Sequence, residues 1–179
     1  YGELVAFDRA VGVLRAGLRE LGVAKNTIVW FNSDNGGLGN IKPDTVGGLK
    51  GYKGSLWEGG IRVPGIVEWP AVIKPRVTDY PASTMDIFPT IAEILNLPDT
   101  VFLKPIDGIS LYPLFKGKQE KRETPIYFRH GSECALVDNE MKLHTNKLNR
   151  EEFELFNLKE DPSETNDMAK ANPELFGQM

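Results

Sequence analysis

From Asp34 to Gly65 the chain loses its hydrophobic periodicity, and nine of its eighteen glycines recur there up to Gly60: Gly36, Gly37, Gly39, Gly47, Gly48, Gly51, Gly54, Gly59 and Gly60. Glycine weakens helices and strands alike, because it has the most conformational freedom to lose on ordering. Neither regular element is expected across this stretch. An irregular segment of this length inside a compact domain is uncommon, and such segments are usually functional. The fold is therefore read from the segments on either side.

Upstream, Leu4, Phe7, Val11, Leu14, Leu18 and Leu21 recur at steps of three and four, the spacing of one helix face. Gly22 is the expected stop. Thr27-Ile28-Val29-Trp30-Phe31 follows as an unbroken β-branched and aromatic run. It fits a strand buried on both faces, as in a parallel sheet covered by helices. Helix, short loop and buried strand make half of an α/β crossover unit. Downstream, Gly65 to Trp69 is a short strand closed by Pro70. Ser83 and Thr84 are candidate caps for a helix over 86–95, with Met85, Phe88, Ala92 and Leu95 as a buried stripe. Ile126 to Phe128, Ala135 to Val137, Met141 to His144 and Phe153 to Phe156 are strand candidates, with a turn at Asp138-Asn139. They predict a small antiparallel sheet. A last helix is expected from Met168.

Composition limits the partners. The 179 residues carry a net charge of −4, without the basic stripe of a duplex binder, so nucleic acid is excluded as a partner. No apolar run approaches the roughly 18 residues of a membrane span. Cys134 is the single cysteine, so no internal disulfide is expected. The chain opens at Tyr1 in a helical pattern with no signal-peptide layout.

Two clusters carry chemistry. Ser33-Asp34-Asn35-Gly36-Gly37 follows the carboxyl end of the first strand, where open α/β sheets bind ligands. Asp34 and Asn35 both offer oxygen, and they reach one ion only if the chain turns between strand and glycines. Oxygen-only ligands favour a hard cation such as Ca²⁺ or Mg²⁺. The same residues are also ordinary turn chemistry. In the second cluster, Lys53 lies between glycines in Gly51-Tyr52-Lys53-Gly54, open to an anionic ester oxygen or simply to solvent. Glu58 is a cap-like acceptor or an ion-pair partner, and Arg62 ties the loop down. The spacing of a phosphate-binding Walker loop fails, since Gly54 follows Lys53. Asp86 reads as a first-turn charge favoured by the helix dipole. Cys134 reads as a small core residue. His130, Cys134 and His144 lack zinc spacing.

Taken together, these residues resemble the sulfatase family. Phe31-Asn32-Ser33-Asp34-Asn35-Gly36 is similar to its S-D-N-G metal element. Lys53 through Pro64 resembles its K-G-x-x-[YW]-E-G-G-x-R-x-P signature, and Asp86-Ile87-Phe88-Pro89-Thr90 its D-x-x-P-T helix start. Leu155 to Leu158 with Asp161 to Asn166 resembles its closing [LF]-[YF]-[DN]-L-x-x-D-P-x-E-x-N. The four occur in family order.

The resemblance implies an α/β fold: residues 1–120 as the C-terminal part of an alkaline-phosphatase-like catalytic domain, and 121–179 as a small α+β subdomain. It implies a sulfuric ester hydrolase with a formylglycine nucleophile and a divalent metal, usually calcium. By residue match, Asp34 and Asn35 are metal ligands and Lys53 binds a sulfate oxygen. Tyr52, Trp57, Arg129 and His130 are candidates to line the pocket, with Arg129 and His130 binding substrate. Carbohydrate sulfates are the expected substrates, an exported protein is the expected setting, and the oligomeric state is open. Two alternatives are a phosphodiester or phosphonate hydrolase of the same superfamily and a non-catalytic sulfatase-like binding module. Hydrolases acting on phosphorus usually show Asp followed by His, whereas Asn35 follows Asp34 here. No C/S-x-P-S-R motif for formylglycine occurs in these residues. The 179-residue chain by itself is therefore expected to release no fluorophore from 4-methylumbelliferyl sulfate, and metal-dependent turnover by it would overturn that reading.

Overall fold

Gly22 ends the first helix as its position suggests. Helix α1 (Gly2–Glu20) leads into it in the computed structural model, which describes residues 2–150 and 152–179. Gly22 takes φ 72° and donates to Arg19 O, while Val23 N reaches back to Leu18 O, both at 3.0 Å. This paired closure satisfies two carbonyls that the helix end leaves open.

The chain forms two compact units, one holding the residues up to Asn32 with Pro64–Val77, the other Ser33–Val63 with Thr78–Met179. In the first, β1 (Val29–Asn32) pairs with β2 (Gly65–Glu68), Val29 opposite Glu68 and Asn32 opposite Gly65. The pairing is antiparallel, which corrects the expectation of a parallel neighbour, and β1 is half-buried throughout. An apolar run specifies burial but not a partner's direction. Phe7 packs on Phe31 with ring centroids 5.6 Å apart. Arg15 grips Glu68 through two hydrogen bonds of 2.6 and 2.9 Å, which hold the Glu68 carboxyl below the usual carboxylate range. No residue of α1 is buried, and Leu4, Phe7 and Leu14 of its apolar stripe stay exposed.

The second unit contains α2 (Glu58–Ile61), α3 (Ile87–Ile94), α4 (Tyr112–Phe115) and α5 (Pro173–Gln178). Its sheet is a meander of β3 (Ile126–His130), β4 (Glu133–Asp138), β5 (Met141–Thr145) and β6 (Glu154–Asn157), antiparallel throughout as predicted. Asn139, at φ 52°, makes the expected turn between β4 and β5. The last helix begins at Pro173 rather than Met168, because Pro173 presets the first helical turn.

Around α3 the reading changes in two ways. Ser83 accepts from Met85 N, and Asp86 accepts from Ser83 N, so the start is capped as expected. Asp86, however, is no surface charge. It is fully buried against Arg122, with hydrogen bonds of 2.7 and 2.9 Å, and also accepts from Ile109 N. Thr90 donates to Asp86 O and accepts from Leu111 N, so Asp86 and Thr90 of the D-x-x-P-T element fasten α3 to residues 109–111. In the apolar stripe, Ala92 is buried but Phe88 and Leu95 are more than half exposed.

Strand pairing sorts the sheet into two faces. His130, Glu133, Lys142, His144 and Phe156 share one face, and Arg129, Cys134, Leu143 and Leu155 lie on the other. The first face receives the glycine-rich segment. Glu133 Oε1 accepts from Leu56 N at 2.8 Å and lies 2.9 Å from His144 Nε2. The Trp57 ring lies over His144 at 3.6 Å between centroids. Lys142 Nζ lies 3.0 Å from Glu58 Oε1 and 2.7 Å from Glu164 Oε1, and Glu164 Oε2 accepts from Glu58 N.

Removing the Arg122 guanidinium strands a buried carboxylate. Arg122→Ala should cost about 3–5 kcal/mol in a urea titration, and a loss under 1 kcal/mol would contradict this account. A second expectation concerns pH. Burial pushes the His144 imidazole below its ordinary value of 6.5, so the folded protein takes up that proton less readily than the unfolded chain. The stability this gives is complete above pH 6.5 and is lost as pH falls toward the folded value. Burial raises the Glu164 carboxyl, whose contribution runs the opposite way: present at low pH and lost as pH rises through its folded value. Comparing variants cancels the Glu164 contribution. Between pH 7.5 and 5.5, Tm should fall further in the parent chain than in His144→Gln.

Candidate functional site

The two clusters expected to carry chemistry are joined by backbone. Ser33 Oγ donates to Asn35 O at 2.9 Å, so the chain turns at Asp34 as two neighbouring ligands require. Asn35 Nδ2 donates to Gly36 O, which leaves Oδ1 available as an acceptor. Gly36 N then donates to Gly60 O, and Lys53 N to Gly37 O, each at 2.8 Å. A Cβ at Gly36 would lie 1.9 Å from Gly59 O, and one at Gly60 2.1 Å from Ser55 O. No side chain fits at either position. Glycine is needed there for close backbone approach.

These bonds tie the Lys53 backbone to Gly37, two residues from Asn35. Asp34 and Lys53 are exposed and Asn35 half-buried. Among the described residues, neither the Asp34 carboxylate nor the Lys53 ammonium has a hydrogen-bond or ion-pair partner. Most other charges in the segment are engaged. Glu58 is buried against Lys142, which settles it as an ion-pair partner, and the exposed Arg62 lies 3.7 Å from it. Lys50 sits 3.4 Å over the Trp57 ring and donates to Glu164 O.

The pocket candidates separate. His130 and Arg129 are both exposed at the end of β3. His130 pairs with Glu133, on the face that receives Leu56 and Trp57, whereas Arg129 pairs with Cys134 on the opposite face. Arg129 Nε donates to Gly131 O. Trp57 is half-buried, stacked on His144 and edge-on to Phe156 at 5.7 Å, so it supports the loop. Tyr52 is half exposed, and Gly39 lies beneath its ring, since a Cβ there would come within 2.8 Å of it. A cleft of about 370 Å³ lined by Ile109, Pro113, Lys118 and Glu123, among others, includes none of these residues.

The oxygen donors suit part of a hard cation's shell. Such an ion takes six or more oxygens, and Asp34 with Asn35 offers two adjacent ones. Among the described residues, no group of three or more His, Cys, Asp or Glu could hold a metal ion. Cys134 is buried, on the face opposite His144.

Sequence reasoning missed Lys142 and Glu133, met Glu164 only as part of the closing motif, and weighed His144 only for zinc, whose spacing it lacks. One signal was present. In Met141-Lys142-Leu143-His144-Thr145, strand alternation places Lys142 and His144 on one face. What that face meets comes from far along the chain: Glu58, which faces Lys142, is 84 positions away, and Trp57, which lies over His144, is further still.

The model for the sulfatase family matches residues 1–97, and that for the C-terminal region of N-sulphoglucosamine sulphohydrolase matches residues 52–175. Human steryl-sulfatase is 38% identical over 156 residues, covering 80% of this chain and 26% of that protein. Human arylsulfatase A is 35% identical over 135 residues, covering 70% and 25%. The crystal structure of Ps i-CgsB superposes with a TM-score of 0.80 at 33% identity, over 98% of this chain and 40% of that one. A Bacteroides thetaiotaomicron chain, from a locus for metabolism of multiple glycosaminoglycans, gives a TM-score of 0.80 at 27% identity, over 96% and 41%. This chain thus spans about a quarter of the length of those two human relatives. The fold is the α/β, alkaline-phosphatase-like one that the motifs implied. The chain belongs to the sulfatase family.

Proposed function

We propose that the full-length protein is a sulfuric ester hydrolase in which Asp34 and Asn35 hold a divalent cation and Lys53 contacts the sulfate. One observation carries this reading. The backbone bonds from Gly36 to Gly60 and from Lys53 to Gly37 place an unpaired carboxylate, an open amide oxygen and an unpaired ammonium on adjoining turns. A bare carboxylate would repel a sulfate ester, so Asp34 suits this site only with a cation between them. When bound, that ion supplies Lewis-acid polarisation of the sulfate oxygens. Lys53 offers three N–H donors and a fixed positive charge where negative charge grows as the ester bond breaks. His130, on the sheet face that carries the loop, would meet the alcohol portion of the substrate. Arg129, on the other face, reaches the same substrate only if its side chain folds over the strand end.

The family relation supports sulfate over phosphate, as does Asn35, whose amide oxygen suits a hard cation such as Ca²⁺ better than zinc. Ps i-CgsB has also been crystallised with k-i-k-neocarrahexaose, at 33% identity to this chain, which supports saccharide substrates here. Asp34→Ala and Lys53→Ala, made in the full-length protein, should each lower kcat at least about 100-fold with unchanged circular dichroism. Chelation should abolish turnover and Ca²⁺ restore it. Near-normal turnover in either variant would remove the assignment. Paired assays on 4-methylumbelliferyl sulfate and phosphate test the reaction class, and faster phosphate release would replace this reading.

A further inference from the structure

The side chains proposed to meet substrate are exposed, whereas the groups that hold their loop are deeply buried. Lys142 is fully buried on β5, and its ammonium faces Glu58 from α2 and Glu164 from the segment after β6. Glu164 also accepts from the Glu58 backbone N–H at 2.7 Å, which closes a ring of three residues. Glu58 begins the short helix whose next two residues, Gly59 and Gly60, are the backbone against which Gly36 packs. Gly59 N in turn donates to Lys50 O at 2.7 Å, and Gly60 O accepts from Gly36 N. The path from Lys142 therefore runs through one side-chain ion pair to Glu58 and then through backbone hydrogen bonds at Gly60, Gly36, Gly37 and Lys53. Two carboxylates face one ammonium, with Arg62 3.7 Å from Glu58, so removing Lys142 leaves a buried excess of negative charge at the base of the loop.

We propose that Lys142 is a positioning residue: by clamping Glu58 and Glu164 it fixes the 50–61 backbone, and through Gly60 and Gly37 it aligns Lys53 with Asp34 and Asn35. It touches no substrate. The proposal rests on the site reading given above, and its test separates the two.

Amide hydrogen exchange on the 179-residue chain reads the clamp without any turnover. In Lys142→Met, the amides of Gly36, Lys53 and Gly60 should exchange at least about tenfold faster than in the parent chain. Amides of α3 and of the β3–β4 ladder should keep their rates. Unchanged rates at those three positions would overturn the proposal, and so would equal acceleration across α3 and the sheet. Should Lys142→Met fail to fold, the charge-free variant E58Q/K142M/E164Q replaces it. That variant should fold and still show fast exchange at Gly36 and Lys53, and parent-like protection there would also overturn the clamp.

Kinetics on the full-length enzyme then join the clamp to the reaction. Lys142→Met should lower kcat at least about tenfold with KM within about twofold, and Lys142→Arg should recover part of the loss. A raised KM with unchanged kcat would overturn the positioning role. If the parent enzyme hydrolyses no sulfate ester, the site reading fails, while the exchange rates still decide the clamp.

Discussion

A single ammonium with no solvent exposure, that of Lys142, lies between the carboxylates of Glu58 and Glu164. Desolvating three charges is expensive, and such a cluster holds only when its members satisfy one another. Here the geometry does so across long separations, joining β5 to a helix 84 residues earlier and a turn 22 residues later. Glu164 keeps φ at 54°, a conformation that costs a non-glycine residue about 1–2 kcal/mol and that its contacts to Lys142 and Glu58 hold in place. With those contacts made, the glycine-rich segment has a floor. Without them it would be a long chain with little apolar surface to anchor it.

On that floor, backbone packs against backbone. Gly36, Gly59 and Gly60 approach so closely that a single methyl group would collide with a carbonyl oxygen. The long signature from Lys53 to Pro64 thus divides by purpose. Trp57, Glu58, Gly59 and Gly60 are scaffold, buried or stacked against the sheet. Lys53 is left exposed. The closing motif divides in the same way. Glu164 completes the buried cluster, while Asp161 accepts from Thr165 N and Asn166 N to shape the turn that presents it. Asp86 and Arg122 do a parallel task at α3, tying the helix start to the segments at 109 and 124.

Local chemistry made much of this legible in advance. The stop at Gly22, the cap at Ser83, the turn at Asn139 and the four strands of the meander each follow from residues within a few positions of one another. The adjacency of Asp34 and Asn35, and their turn, were readable for the same reason. The antiparallel partner of β1 was not, because an apolar run carries no direction. Nor was the burial of Asp86, since a carboxylate at a helix start looks the same whether it faces water or an arginine 36 residues away. Phe88 and Leu95 show the reverse error: helical spacing marks a stripe without saying that anything covers it.

Sequence alone carried the family, the kinds of elements and the residue types on which the proposed sulfate and metal chemistry rests. Those properties live in short motifs whose spacing is fixed along the chain. Long-range packing in the tertiary structure settled which of those residues keep their charges unpaired. Glu58, Glu164 and Lys50 are consumed by the scaffold, while the Asp34 carboxylate and the Lys53 ammonium have no partner among the described residues. The same structure put His130 and Arg129 on opposite sheet faces through strand register. Charge pairing and register are long-range facts, set when distant segments desolvate one another, and one-dimensional spacing cannot express them.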